Sequence, residues 1–256
     1  MTEPLLQIQG LSKRFGGVVA TDDVTLDIPE GELHAVIGPN GAGKTTLVSQ
    51  LAGELAPDAG CILLGGVDVT SMPVWRRSLL GMARSFQITS LFPEFTALEN
   101  VALAAQAHAG HSFHFWKDAR RETALRDTAH AALDSVGMTD RADVRVNRLS
   151  HGEHRQIEIA MALATRPRLL LLDEPMAGLG SSEAAGMLAL LRALKRQYSI
   201  VLIEHDMEAV FALADRISVL VYGRVIATGA PEAIRANGQV RQAYLGENST
   251  AGFGNA

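Results

Sequence analysis

A single cysteine, Cys61, is present among 256 residues. One thiol cannot close a disulfide within the chain or build a cysteine-rich zinc module. No apolar run approaches the roughly 18 residues that a membrane-spanning helix needs; the stretch Leu169 to Leu172 runs straight into Asp173 and Glu174. The opening residues, Met1-Thr2-Glu3-Pro4, lack the basic and apolar segments of a secretory signal. A reducing, cytosolic setting is therefore expected, with any membrane reached through other subunits. Positive charge is not in excess either. The net charge of -5 argues against a nucleic-acid partner held by a broad basic face. No Asn-Lys pair occurs, so the Asn-Lys-x-Asp base-reading motif of a GTPase is missing, and no internal repeat is visible.

What remains is ordinary globular material, 47% hydrophobic and 20% charged, long enough for one large domain with a substantial core. Leu5 to Gln9, Val18 to Ile28, Leu33 to Ile37 and Cys61 to Leu64 read as strands, with Gly16-Gly17 and Glu30-Gly31 as turns. From about Thr96 to Thr165 the texture is helical. Leu169 to Leu172 and Ile200 to Ile203 are short apolar runs of the kind buried on both faces of a sheet. Ala184 to Leu194 and Met207 to Ala214 read as helices, and Ile217 to Ala227 as a hairpin turning near Gly223. Strands alternating with helices predict a largely parallel sheet with right-handed crossovers. The small, polar tail 248–256 is expected to be disordered.

Three motifs carry chemistry. Gly38-Pro39-Asn40-Gly41-Ala42-Gly43-Lys44-Thr45, with Thr46 next in the chain, matches the phosphate-loop pattern between a strand and a helix. Glycines let backbone N–H groups converge on phosphate oxygens, and the positive end of the next helix faces the same anion. Lys44 can reach the β- and γ-phosphates, and the Thr45 hydroxyl can ligate Mg2+. This pattern specifies nucleotide binding without saying which class of NTPase. Asp173 and Glu174 end a buried strand, where open parallel sheets place their sites. Asp173 is the expected magnesium carboxylate, and Glu174 the base that orients and deprotonates the attacking water. Ser150, with Glu153 three residues on, opens a helix whose buried face is Ile157, Ala160, Met161 and Ala164. That is a capping box, and a serine-glycine tip is also a phosphate receptor; both readings can hold together.

Taken in order, the phosphate loop, Gln87, Leu149 to Glu153, Asp173-Glu174 and His205 resemble the nucleotide-binding domain of ABC proteins over residues 5 to 245. The resemblance implies a P-loop NTPase α/β core with a mostly parallel sheet, an N-terminal antiparallel β subdomain and an inserted α-helical subdomain at about 88–165. The whole of 1–247 would be one nucleotide-binding domain. It also implies ATP and Mg2+ as cofactors. Phe15 matches the aromatic that stacks on adenine, an ordinary core phenylalanine being the alternative. Gln87 resembles the glutamine that touches magnesium and the attacking water, and His205 the switch histidine on the γ-phosphate. The usual Leu-Ser-Gly-Gly-Gln is altered at His151 and Glu153, while Ser150 and Gly152 remain to face the ATP of a second subunit. Gly180 stands where an aspartate is common, which weakens the case for an aspartate-mediated contact across the pair.

The implied partners are a second ATPase subunit, as a homodimer or, in preference, a heterodimer, and two transmembrane permease subunits. A periplasmic substrate-binding protein would act indirectly, nucleic acid is not a partner, and the chain would sit peripherally on the cytoplasmic face of the membrane. The helical insert at Ala104 to Arg121, Arg84 to Gln87 with Leu91-Phe92, and the ending Ala243-Tyr244-Leu245-Gly246 resemble the larger ATPase of branched-chain amino-acid importers. Urea or amide importers, exporters and non-transport ABC ATPases are the alternatives, although the chain has no room for the long coiled coils of chromosome-associated members. His108, His111 and His114 do not share one helical face, so the insert reads as surface rather than as a metal site.

Overall fold

The computed structural model describes residues 3–85, 91–109 and 123–245. Gln87, His111, His114 and the 248–256 tail, together with most of the 104–121 insert, lie outside them.

Two sheets enclose the nucleotide-motif elements. The larger has strand order β10-β9-β3-β8-β7-β6. Its central members are β3 (Leu33–Ile37), β7 (Leu169–Asp173) and β8 (Ser199–Ile203), and every residue of all three is buried. Such unbroken apolar runs suit strands covered on both faces. Leu170 and Leu172 pack into one core with Ile200 and Leu202, while Leu169 and Leu171 pack into another with Val201 and Ile203. Alternate side chains thus serve opposite faces. The edge strand β6 (Met82–Arg84) pairs in parallel with β7, and β9 (Arg216–Val221) in parallel with β3. The hairpin mate β10 (Arg224–Gly229) is antiparallel to β9.

The second sheet is antiparallel, ordered β2-β1-β4-β5, from β1 (Leu6–Phe15), β2 (Val18–Ile28), β4 (Ala59–Leu64) and β5 (Val67–Asp68). In β2, Val24, Leu26 and Ile28 point inward and Thr25 and Asp27 outward, the alternation of a sheet with one wet face. Helix α1 (Lys44–Ala52) puts Leu47, Val48 and Leu51 between the two sheets. On the other side of the large sheet, α3 (Ala97–Ala109), α4 (Thr123–Ser135) and α5 (His151–Leu163) share one core through Val101, Leu133 and Ile157. Helices α6 (Ser181–Leu194) and α7 (Met207–Leu213) add Leu191 and Val210 to it. Among the described residues, no helix is long and apolar enough to cross a membrane.

The expected fold class is the observed one, with local differences. β1 runs on past Gln9 to Phe15, its pairing with β2 shifting register after Ile8, after Leu11 and after Lys13. Irregular pairing of this kind masks the period of two that marks a strand. Helix α2 (Val74–Leu79) has no apolar period to read, because its buried residue is Arg77. That guanidinium donates to the carbonyls of Gln50 and Leu51 at 2.7 and 2.6 Å and of Met72 and Thr70 at 3.0 and 2.9 Å. It therefore serves carbonyls at the end of α1, sharing that of Gln50 with the Gly53 N–H.

Candidate functional site

Strand register assembles the site. Val36 lies beside Ile203 across β3–β8, and Asp173 beside Ile203 across β7–β8. The carboxyl ends of three neighbouring parallel strands therefore coincide. Each strand leads directly into a motif: the phosphate loop comes after Ile37, Glu174 after Asp173, and Glu204-His205 after Ile203.

The loop at 38–43 is pressed between β9 and β2. A Cβ on Gly38 would lie 2.0 Å from the Leu220 carbonyl oxygen, and one on Gly43, at φ 103°, 2.0 Å from that of Ala20. Side chains are excluded at both places, so the loop presents backbone. The Gly223 N–H donates to the Ala42 carbonyl at 2.9 Å, and the Ala42 N–H to that of Pro39 at 3.1 Å. Lys44 is buried, its Nζ donating to the Gly38 and Pro39 carbonyls at 2.7 and 3.0 Å. Gly43 gives α1 no side-chain cap, and the first turn holds no acid. The positive helix end is thus not neutralised by a capping side chain or first-turn acid, as an anion site requires. Asn40, Gly41 and Thr45 are exposed, while Pro39 and Thr46 are half-buried. Phe15 is 50% exposed on the β1–β2 hairpin, with the Lys13 ammonium 5.8 Å from its ring centroid. It is not a core residue.

Asp173 is buried at the end of β7. Arg84 Nη2 donates to its Oδ2 at 3.0 Å, whereas Oδ1 is buried and, among the described residues, meets no hydrogen-bond donor. Burial pushes the Asp173 carboxyl above the ordinary range, and the Arg84 charge opposes that rise. An orphaned, buried carboxylate oxygen beside a phosphate loop fits a hard divalent cation, and the Thr45 hydroxyl has the same oxygen-donor chemistry. Glu174 sits at φ 48°, a left-handed conformation that costs a non-glycine residue about 1–3 kcal/mol. Its N–H donates to the Ile203 carbonyl at 2.9 Å, which holds the strained residue against β8. Its Oε1 lies 3.9 Å from Nδ1 of the exposed His205. Between them Glu204 is buried, accepting from the Met176 N–H at 2.9 Å and the His205 N–H at 3.1 Å. One carboxylate thereby links the loops bearing Glu174 and His205.

Ser150 begins α5 as the sequence predicts. Its Oγ accepts from the Glu153 N–H at 3.2 Å, and Glu153 Oε2 accepts from the Ser150 N–H at 2.8 Å. The Ser150 hydroxyl also donates to Glu183 Oε1 at 3.0 Å, and the Gly152 N–H reaches the same oxygen at 3.1 Å. A Cβ on Gly152 would lie 2.8 Å from that oxygen, so glycine is what lets the carboxylate approach.

Strand ends thus bring Lys44, Thr45, Asp173, Glu174 and His205 to one edge of the large sheet. Gln87 lies outside the described residues. Sequence reasoning assigned no role to Arg84, Glu183 or Glu204. For Glu183 a local signal existed, since it stands three residues after Gly180 in a capping-box position; the other two act across distant segments.

A parallel sheet with a phosphate loop and an acidic pair at its strand ends, flanked by an antiparallel sheet and a serine-tipped helix, defines an ATP-binding cassette. The chain belongs to the ABC transporter family, whose model matches residues 21–177. Residues 224–249 match the model described as branched-chain amino acid ATP-binding cassette transporter. Similar proteins include the high-affinity branched-chain amino acid transport ATP-binding protein BraF of Pseudomonas aeruginosa, 39% identical over 96% of this chain and 100% of that protein. LivG of Escherichia coli, described in the same words, is 38% identical over the same shares of both chains. Among solved structures, the ADP conformation of MJ1267, an ATP-binding cassette of an ABC transporter, superposes with a TM-score of 0.85 at 27% identity, covering 96% of this chain and 100% of that one.

Proposed function

We propose that this chain is the ATP-hydrolysing subunit that energises an ABC importer for branched-chain or other hydrophobic amino acids. The observation that carries the cargo class is the family match at residues 224–249, joined to full-length similarity with BraF and LivG. The cassette alone is less selective: the ribose import ATP-binding protein RbsA 2 of Streptomyces coelicolor is 36% identical over 98% of this chain and 48% of that protein.

The work is divided among the site's residues. N–H groups of Gly41 to Thr46 and the Lys44 ammonium hold the β- and γ-phosphates, with Phe15 against adenine. Asp173, Thr45 and Gln87 hold magnesium, which when bound neutralises charge on the transferring phosphoryl group. Glu174 takes a proton from the attacking water as its oxygen bonds to the γ-phosphorus and the bond to the ADP oxygen breaks. His205 contacts the same phosphoryl group. Ser150 and Gly152 grip the ATP of a second ATPase subunit, so two nucleotides are sandwiched head-to-tail in a pair, a heterodimer in preference. ATP then favours the closed pair by binding it more tightly, and hydrolysis removes that bias. The pair docks on two permease subunits at the cytoplasmic face, and a periplasmic binding protein delivers the cargo to them. Residues 1–247 act as one nucleotide-binding domain with a helical subdomain at about 88–165.

Proteoliposomes containing the chain with its permeases and binding protein provide the test. ATP-dependent uptake of labelled leucine, without uptake of ribose or urea, is the expected result. Uptake of urea alone, or none of any solute, would overturn the reading.

A further inference from the structure

We propose that Arg84 is a positioning residue for magnesium: it fixes Asp173 by one carboxylate oxygen, leaves the other for the cation, and ties both to the phosphate-loop helix. This rests on Asp173 being the magnesium carboxylate, as proposed above.

Arg84 ends β6, in register with Leu171 of the neighbouring β7, and its side chain is 10% exposed. The two terminal nitrogens of the guanidinium reach three residues. Nη2 takes Asp173 Oδ2 at 3.0 Å; Nη1 pairs with the Glu54 carboxylate just after α1 and reaches Ser49 Oγ, on α1 itself, at 3.4 Å. Helix α1 begins with Lys44 and Thr45. One side chain therefore sets where the magnesium acid stands relative to the helix that carries the phosphate ligands.

The pattern of bonds separates this role from a plain structural ion pair. Arginine and a carboxylate left to themselves favour a bidentate fork, which uses both oxygens. Here Nη1 is drawn off to Glu54, Nε is buried without an acceptor rather than completing a fork with Nη2, and among the described residues no donor meets the buried Asp173 Oδ1. Such an oxygen is costly unless a ligand satisfies it.

The test is the magnesium dependence of nucleotide binding, read with a fluorescent ATP analogue and needing no turnover. Groups that hold a metal's ligands typically contribute about 10–100-fold to metal affinity. Arg84→Met should therefore weaken apparent magnesium affinity in the presence of the analogue by about tenfold or more, while its magnesium-free affinity stays within about twofold. Arg84→Lys, which keeps the charge but cannot span two carboxylates, should fall between the two, and Glu54→Gln should move in the same direction. If the methionine variant does not fold, the lysine variant carries the test, and its magnesium affinity must still drop. Equal losses with and without magnesium, or an unchanged magnesium titration in folded variants, would overturn the proposal. Asp173→Asn separates the two ideas: an unchanged titration there would instead remove Asp173 as the magnesium carboxylate.

Discussion

The Ser150 hydroxyl donates to Glu183 Oε1 at 3.0 Å, and the Gly152 N–H meets the same oxygen at 3.1 Å. The groups proposed to receive a partner's phosphate already hold an anion of the chain's own. Hydrogen bonds from Ser150, then from the Gly152 and Gly180 N–H groups, keep the Glu183 carboxyl below the ordinary range. The contact therefore persists at neutral pH and weakens only as pH falls through that lowered value. A phosphate reaching this tip must displace the carboxylate. In a Glu174→Gln background, Glu183→Ala should associate with ATP at several-fold lower protein concentration by sedimentation velocity. Unchanged or weaker association would leave Glu183 as no more than a cap of α6.

The phosphate loop, the acidic pair and the serine tip were legible because each is contiguous and borders an element whose period is plain. The polar ties between them were not. Arg84 and Asp173 are 89 residues apart, Ser150 and Glu183 33, and Met176 and Glu204 28. Only the folded strand ends bring such pairs together, and no local pattern announces them. Arg77 carried no local signal at all: it stands on a helix with exposed Val74, Trp75 and Leu79, yet it is buried and bonded to carbonyls of distant residues. Register shifts in β1 likewise hid the strand that carries Phe15.

Lys44→Ala should weaken ATP binding. The ammonium is buried among loop carbonyls and is reoriented at little cost towards phosphate oxygens, which accept a charge-assisted bond more strongly. Losing a hydrogen bond to a charged group costs about 1.5–3 kcal/mol, or roughly tenfold or more in affinity. Isothermal calorimetry with ATP checks this, and unchanged affinity would remove Lys44 from the phosphate site.

Glu204 gives a pH prediction. Burial raises its carboxyl above the ordinary value, against the N–H groups of Met176 and His205 that favour the anion. The folded state thus binds this proton more tightly than the unfolded state. Its contribution is fully present below the ordinary carboxylate pKa and is lost as pH rises through the raised folded value. Glu204→Gln cannot titrate. The melting temperature of the variant minus that of the parent should therefore become more positive as pH rises from the acid side of that window to neutrality. A difference independent of pH would mean that the Glu204 proton is bound equally in both states.

Glu174→Gln tests the chemical step. The strained backbone at φ 48° and the bond to Ile203 hold this side chain beside His205, 3.9 Å away, while Asp173 is buried and committed to Arg84. Of the two acids, Glu174 alone is accessible enough to meet water. General-base assistance is worth about 10²–10⁴ in rate, so hydrolysis by the glutamine variant should fall by about that factor. ATP affinity should be retained, because the amide matches the carboxylate in shape and removes a negative charge near the phosphates. Phosphate release measured beside nucleotide binding distinguishes the cases. Near-parental turnover would remove Glu174 as the base, whereas a loss of binding with turnover lost in proportion would place it in the nucleotide cradle rather than at the attacking water.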